Sequence, residues 1–193
     1  MLIVGITGTL GAGKGTIVEC LTARHGFRHY SVRGFLTEII ESRGLPVDRD
    51  AMVSVANELR ARHSPSYLVE QLYRRAASAG EDCVIESIRT PGEVQALRDR
   101  GGFVLLAVDA SLETRFERIR RRSSSTDKVS FERFVADEAR EMGSTDPNHQ
   151  NIARCVELAD YRLRNDGTVE ELAAAVEGIL QEMKRGIRRN PTG

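Results

Sequence analysis

Apolar residues fall in short unbroken runs separated by longer stretches where they recur every three or four positions. That alternation is the pattern of strands and helices following one another in a parallel sheet covered by helices. Leu2–Thr7 reads as a buried-type strand and Phe27–Ser31 as a short second one. Cys83–Ser87 and Phe103–Asp109 are the clearest later strands, and Tyr161–Arg164 makes a last one. Helix-period segments lie at Lys14–His25, Gly34–Ser42, Arg49–His63, Pro65–Ala79, Glu93–Arg100, Leu112–Arg122, Phe131–Met142, Ile152–Ala159 and Val169–Lys184. The expected architecture is therefore α/β, three layers, with a five-stranded parallel sheet flanked by helices.

Boundary chemistry agrees with several of these limits. Pro65 follows Ser64 at a helix start, and Ser130 and Thr168 precede helices that carry acids in their first turn. No internal repeat or second domain is evident. Residues 1–184 read as one domain, with 185–193 a flexible basic tail and Ser123–Lys128 a polar mobile loop. The apolar stretch Met1–Ile6 is too short for a membrane span and lacks the basic flank of a signal peptide.

Composition narrows the classes. The 193 residues are 40% hydrophobic and 29% charged, an ordinary globular balance. The 28 basic and 28 acidic side chains cancel, which disfavours a dedicated nucleic-acid binder. Cys20, Cys83 and Cys155 are odd in number and widely spaced, so reduced thiols in a cytoplasmic protein are expected in place of a disulfide framework or zinc site.

One motif carries specific chemistry. Gly8-Thr9-Leu10-Gly11-Ala12-Gly13-Lys14-Gly15-Thr16 follows an apolar strand and opens a helix. Its glycines let the backbone curl so that N–H groups face inward around a phosphate. The helix N-terminus adds its positive dipole end, and Lys14 neutralises terminal phosphate oxygens. A nucleotide site for ATP with Mg²⁺ follows, with Gly8, Gly11, Ala12, Gly13, Lys14, Gly15 and Thr16 as its contacts.

Further candidates follow along the chain. Glu86 ends the Cys83–Glu86 run as a carboxylate, suited to holding water on Mg²⁺ or to accepting a proton from the acceptor. Arg89, three residues on, suits an acceptor phosphate. Arg115, Arg118, Arg120, Arg121 and Arg122 crowd one helix before the Ser-rich loop. They read either as cations for a transferring phosphoryl group, with Arg118 and Arg122 the catalytic pair, or as a solvated basic face. Asn165 and Gly167, in Asn165-Asp166-Gly167-Thr168, suit either a base-binding loop or a bare turn before a helix. Asn57 and Glu58 either read a base edge or simply solvate a helix. Asp146–Asn151 carries no assignable chemistry.

The GKGT form of the loop resembles adenylate kinase and related nucleoside monophosphate kinases, a branch of the P-loop NTPases. Glu86-Ser87-Ile88-Arg89 is similar to their acceptor turn, and Arg118-Ile119-x-x-Arg122 to the start of their lid. The Asn165–Thr168 loop is similar to the end of dephospho-coenzyme A kinases. The order of these motifs resembles uncharacterised prokaryotic P-loop kinases related to both. This resemblance implies a P-loop NTPase fold, a helical acceptor region at 32–80, a short lid at 118–130 and phosphoryl transfer from ATP to a nucleotide-like acceptor. Two departures stand out. Gly15 replaces the common Ser or Thr after the lysine, leaving Thr16 and Glu86 as the residues toward Mg²⁺. Thr37 stands where the family has an acceptor arginine, so Arg33 or Arg60 is the substitute, beside Arg89. Dephospho-coenzyme A is the alternative acceptor, and a nucleotide-gated switch with slow hydrolysis the alternative function.

Overall fold

The computed structural model describes residues 1–122 and 130–189, except for the side chains of 122, 184 and 186–189. Five strands form one sheet: β1 (Ile3–Gly8), β2 (Arg28–Ser31), β3 (Cys83–Glu86), β4 (Phe103–Asp109) and β5 (Tyr161–Arg164). Their order is β2-β3-β1-β4-β5, and every pairing is parallel. Around it lie α1 (Lys14–His25), α2 (Val32–Ser42), α3 (Arg49–Arg62), α4 (Tyr67–Ala79) and α5 (Pro91–Arg98). The chain continues through α6 (Leu112–Arg122), α7 (Phe131–Met142), α8 (Ile152–Glu157) and α9 (Val169–Arg189).

β1 is buried along its whole length because both faces of the sheet are covered. Its side chains alternate between two cores. Ile3 joins Val32, Leu68, Leu72 and Ile85 under the α2–α5 layer. Val4 and Ile6 join Ile17, Leu21, Val176 and Leu180 under α1 and α9. Between them Gly5 keeps the α5 side tight, since a Cβ there would lie 2.6 Å from Ile88 and Phe103 carbons.

Most element limits match the pattern reading, with differences at the ends. α2 begins at Val32 because the Ser31 hydroxyl accepts from Gly34 N–H and caps it two residues early. α4 begins at Tyr67, after Ser66, so Pro65 sits just outside the helix. α5 opens at Pro91, where Thr90 and Glu93 form a capping box. α9 runs on to Arg189, five residues past the expected end, and 190–193 of the expected tail lie outside the described residues.

The C-terminal helix is fastened to the phosphate-loop helix by a contact that residue spacing did not suggest. Cys20 Sγ, His25 Nε2 and a Glu177 oxygen all lie within 4.8 Å of one another. His25 bonds the Glu177 carboxylate at 2.8 Å, stitching α1 to α9 at the end far from Lys14.

Candidate active site

The parallel register brings the carboxyl ends of the strands to one edge of the sheet. Ile6 on β1 is level with Glu86 on β3, which is level with Ser31 on β2. The loop that leaves β1 at this edge turns on three glycines at positive φ: Gly8 at 136°, Gly11 at 81° and Gly13 at 109°. Each also lacks room for a side chain. A Cβ would meet Val108 O at 2.0 Å from Gly8, Arg115 O at 2.6 Å from Gly11 and Asn165 Nδ2 at 2.2 Å from Gly13. Gly15, by contrast, faces open space, so the departure after the lysine is no steric demand.

The loop fits a polyphosphate. α1 starts with neither a side-chain cap nor an acid in its first turn, so its N-terminal dipole is not answered from within the helix. Lys14 Nζ folds back to donate to Gly8 O at 2.9 Å and Thr9 O at 2.7 Å, which holds a cation at the loop's own rim.

Glu86 lies beside this rim. Its Oε1 accepts from the Ser31 hydroxyl at 2.9 Å and faces His29 Nε2 at 3.6 Å. Burial pushes its pKa up, but hydrogen bonds from His29 and Ser31 and the charges of His29 and Lys14 outweigh burial, leaving the carboxyl below its ordinary range. Ser87, the next residue, is held in the left-handed region at φ 67°, alone among the described non-glycine residues. A strained residue here directs the chain from the strand end toward Arg89.

Arg89 lines a cleft beside this strand end. This cleft encloses ≈ 680 Å³ with its open mouth. Arg33, Arg49, Arg60 and Arg89 supply its cations, while Val32, Leu36, Met52 and Ala56 supply an apolar wall. All three sequence candidates for acceptor binding, Arg33, Arg60 and Arg89, therefore meet in one place. Arg60 is 1% exposed and lies on Glu93, which is 0% exposed, through Nε at 3.1 Å and Nη2 at 2.7 Å. Glu93 also accepts from Arg89 N–H at 2.8 Å and Thr90 N–H at 3.1 Å, so one buried carboxylate sets α3 against the turn that carries Arg89.

Three polar members of this cleft, Arg49, Glu141 and Gln150, escaped the pattern reading. Glu141 on α7 accepts from Arg89 Nη1 at 2.5 Å and Arg49 Nη2 at 2.7 Å. Gln150 Oε1 accepts from Arg89 at 2.7 Å, and Asn151 N–H donates to Arg89 O at 2.8 Å. The Asp146–Asn151 segment, without assignable chemistry in sequence, thus braces Arg89. Glu58, in contrast, is occupied on the surface by Arg43 and Arg62 and takes no part in the cleft.

A second cleft lies beyond the phosphate loop, lined by Gly13, Thr16, Arg118, Arg121, Asn165 and Val169. Asn165 is 6% exposed, and its Nδ2 donates to Ala12 O at 2.7 Å, bracing the loop directly. Arg118 donates to Asn165 O at 2.8 Å and Gly167 O at 3.3 Å. Arg118 therefore sits on the Asn165–Gly167 loop and lines the same cleft as Gly13 of the phosphate loop. Thr16 faces this same cleft. Arg115 separates from the basic cluster altogether: it is buried over Phe134, donates to Ala110 O at 2.9 Å and pairs with Glu138. The side chain of Arg122 and residues 123–129 of the expected lid lie outside the described residues.

Known proteins fall in line with this geometry. A family model described as an AAA domain matches residues 4–146. The chain belongs to that family. It is 30% identical over 185 residues to a UPF0200 protein of Methanothermobacter thermautotrophicus, spanning 95% of this chain and 91% of the relative. A shikimate kinase from Bacteroides thetaiotaomicron shares the fold with a TM-score of 0.61 at 13% identity, over 93% of this chain and 98% of that one. A gluconokinase from Sinorhizobium meliloti does so with a TM-score of 0.57 at 14% identity, over 98% and 97%. The architecture is thus the α/β P-loop kinase-like fold expected from the GKGT resemblance, and it implies nucleotide binding at the phosphate loop.

Proposed function

We propose that the protein transfers the γ-phosphoryl group of ATP to a nucleoside or deoxynucleoside monophosphate seated in the arginine-lined cleft. The observation that carries this reading is the run Glu86–Arg89, which joins the phosphate loop and the cleft across one strand end. ATP supplies the group to be transferred. The loop N–H groups and Lys14 would hold its terminal phosphates, Thr16 with Glu86 would stand toward Mg²⁺, and Arg118, Asn165 and Gly167 would line the donor's base side.

Charge supports a phosphomonoester acceptor. Four arginines, Arg33, Arg49, Arg60 and Arg89, line the cleft, a setting that suits a phosphate dianion. Arg89 and Arg33 are the residues we assign to that phosphate. The Glu86 carboxyl lies below its ordinary range, which favours the carboxylate and a role in holding water on Mg²⁺ over proton acceptance. An acceptor phosphate oxygen needs no base, so this division of labour is consistent. Arg122 keeps its proposed place on the developing equatorial charge.

The test is Mg²⁺-dependent ADP formation from ATP with AMP, CMP, dCMP, UMP, GMP, dTMP or dephospho-coenzyme A as acceptor. Stimulation by one monophosphate supports the reading. Stimulation by dephospho-coenzyme A alone would replace it with a hydroxyl acceptor. Bound ATP with no stimulation by any acceptor would overturn it in favour of a nucleotide switch.

A further inference from the structure

Arg60 holds more donors than its buried partner uses. Its Nε and Nη2 both point at Glu93 Oε1, which commits one edge of the guanidinium to the ion pair. Nη1 belongs to the other edge, is buried, and has no acceptor among the described residues. Leaving a buried guanidinium N–H without an acceptor is costly, and a folded protein rarely retains one without a use. Arg60 also lines the acceptor cleft, beside Ala56 and Val53 on the same face of α3.

The charge of Arg60 is already answered by Glu93, so its remaining donor suits a neutral acceptor atom better than a second anion. The neighbouring wall of Val32, Leu36 and Met52 suits a flat apolar surface. One turn before Arg60 on α3, Asn57 Oδ1 is buried and equally without a partner among the described residues.

We infer that Arg60 Nη1 is a base-reading donor, bonding a carbonyl oxygen or ring nitrogen on the base of a mononucleotide whose phosphate lies at Arg89. This rests on the proposed assignment of the cleft to the acceptor. Arg60 is then a specificity residue for the base, separable from the residues that hold the phosphate.

The experiment is calorimetric binding of AMP, CMP, GMP, UMP and ribose 5-phosphate to the full chain, with ribose 5-phosphate as the phosphomonoester that lacks a base. At least one mononucleotide should bind about 10-fold or more tightly than ribose 5-phosphate. Arg60→Lys keeps a cation on Glu93 and removes the second-edge donor. It should bring that mononucleotide to within about 3-fold of ribose 5-phosphate measured on the same variant. Should Arg60→Lys not fold, the double variant Arg60→Met with Glu93→Gln removes the pair without stranding a charge, and the ratio of mononucleotide to ribose 5-phosphate affinity should again fall to within about 3-fold. Arg89→Ala should weaken all five ligands together. A base preference that survives both Arg60 variants overturns the inference, as does no mononucleotide outbinding ribose 5-phosphate. A base preference lost in the variants, without phosphoryl transfer in the wild type, upholds the subsite and removes the kinase reading instead.

Discussion

Asn165 and Ala12 are joined across 153 positions of sequence: the Asn165 Nδ2 donates to the Ala12 carbonyl at 2.7 Å. The loop after β5 therefore shapes the loop after β1, and Gly13 is glycine partly because Asn165 fills the space its side chain would need. Replacing Asn165 with Ala leaves a buried carbonyl without its donor. Stability should fall by about 1–2 kcal/mol, and KM for ATP should rise more than kcat changes. Denaturant unfolding and steady-state kinetics check the two halves separately.

Glu141 should make the fold acid-sensitive. Burial raises its pKa, but the charges of Arg89 and Arg49 and their hydrogen bonds outweigh that and hold it below its ordinary value of 4.5. A carboxyl depressed in the folded state adds stability above its unfolded pKa and loses it as pH falls through the folded one. Glu141→Gln should thus cost about 3 kcal/mol near neutrality and progressively less below about pH 4.5. Unfolding midpoints of both proteins between neutral and acid pH give the comparison; parallel profiles would contradict it.

Ser87 tests stored strain. Glycine at that position removes the left-handed penalty while loosening the unfolded chain, for a net gain of about 0.5–1 kcal/mol. Because Ser87 also lines the cleft we assign to the acceptor, Ser87→Gly should lower kcat/KM for the acceptor as stability rises.

The three cysteines should be silent toward a thiol reagent in the native state. Burial pushes Cys83 up to about 11 and Cys155 up to about 12, and burial with the nearby Glu177 raises Cys20. Disulfide-exchange titration at mildly alkaline pH should find no reactive thiol until denaturant is added, then three.

Local features of the site were legible in the residue order. The glycines, Lys14 and the following helix lie within one short segment, and β1, β3 and β4 are apolar runs that only a covered sheet accommodates. Arg60, Arg33 and Arg89 were visible as cations near the expected acceptor region. What pattern reading could not supply was pairing between distant segments. Nothing near Glu141 or Gln150 in sequence marks them as partners of Arg89, which stands 52 and 61 positions away. Arg115 looked like its neighbours Arg118 and Arg121 because only the arrival of Phe134 and Glu138 from α7 buries it. Ser87 carries no glycine to advertise its positive φ.

Movement of the γ-phosphate itself is the most direct measurement. With γ-labelled ATP, Mg²⁺ and the best monophosphate acceptor, label should appear in the corresponding diphosphate. Lys14→Ala should reduce that transfer by about 10²–10³-fold while changing stability by no more than about 1 kcal/mol. Label found only in inorganic phosphate, or transfer undiminished in Lys14→Ala, would contradict phosphoryl transfer at this site.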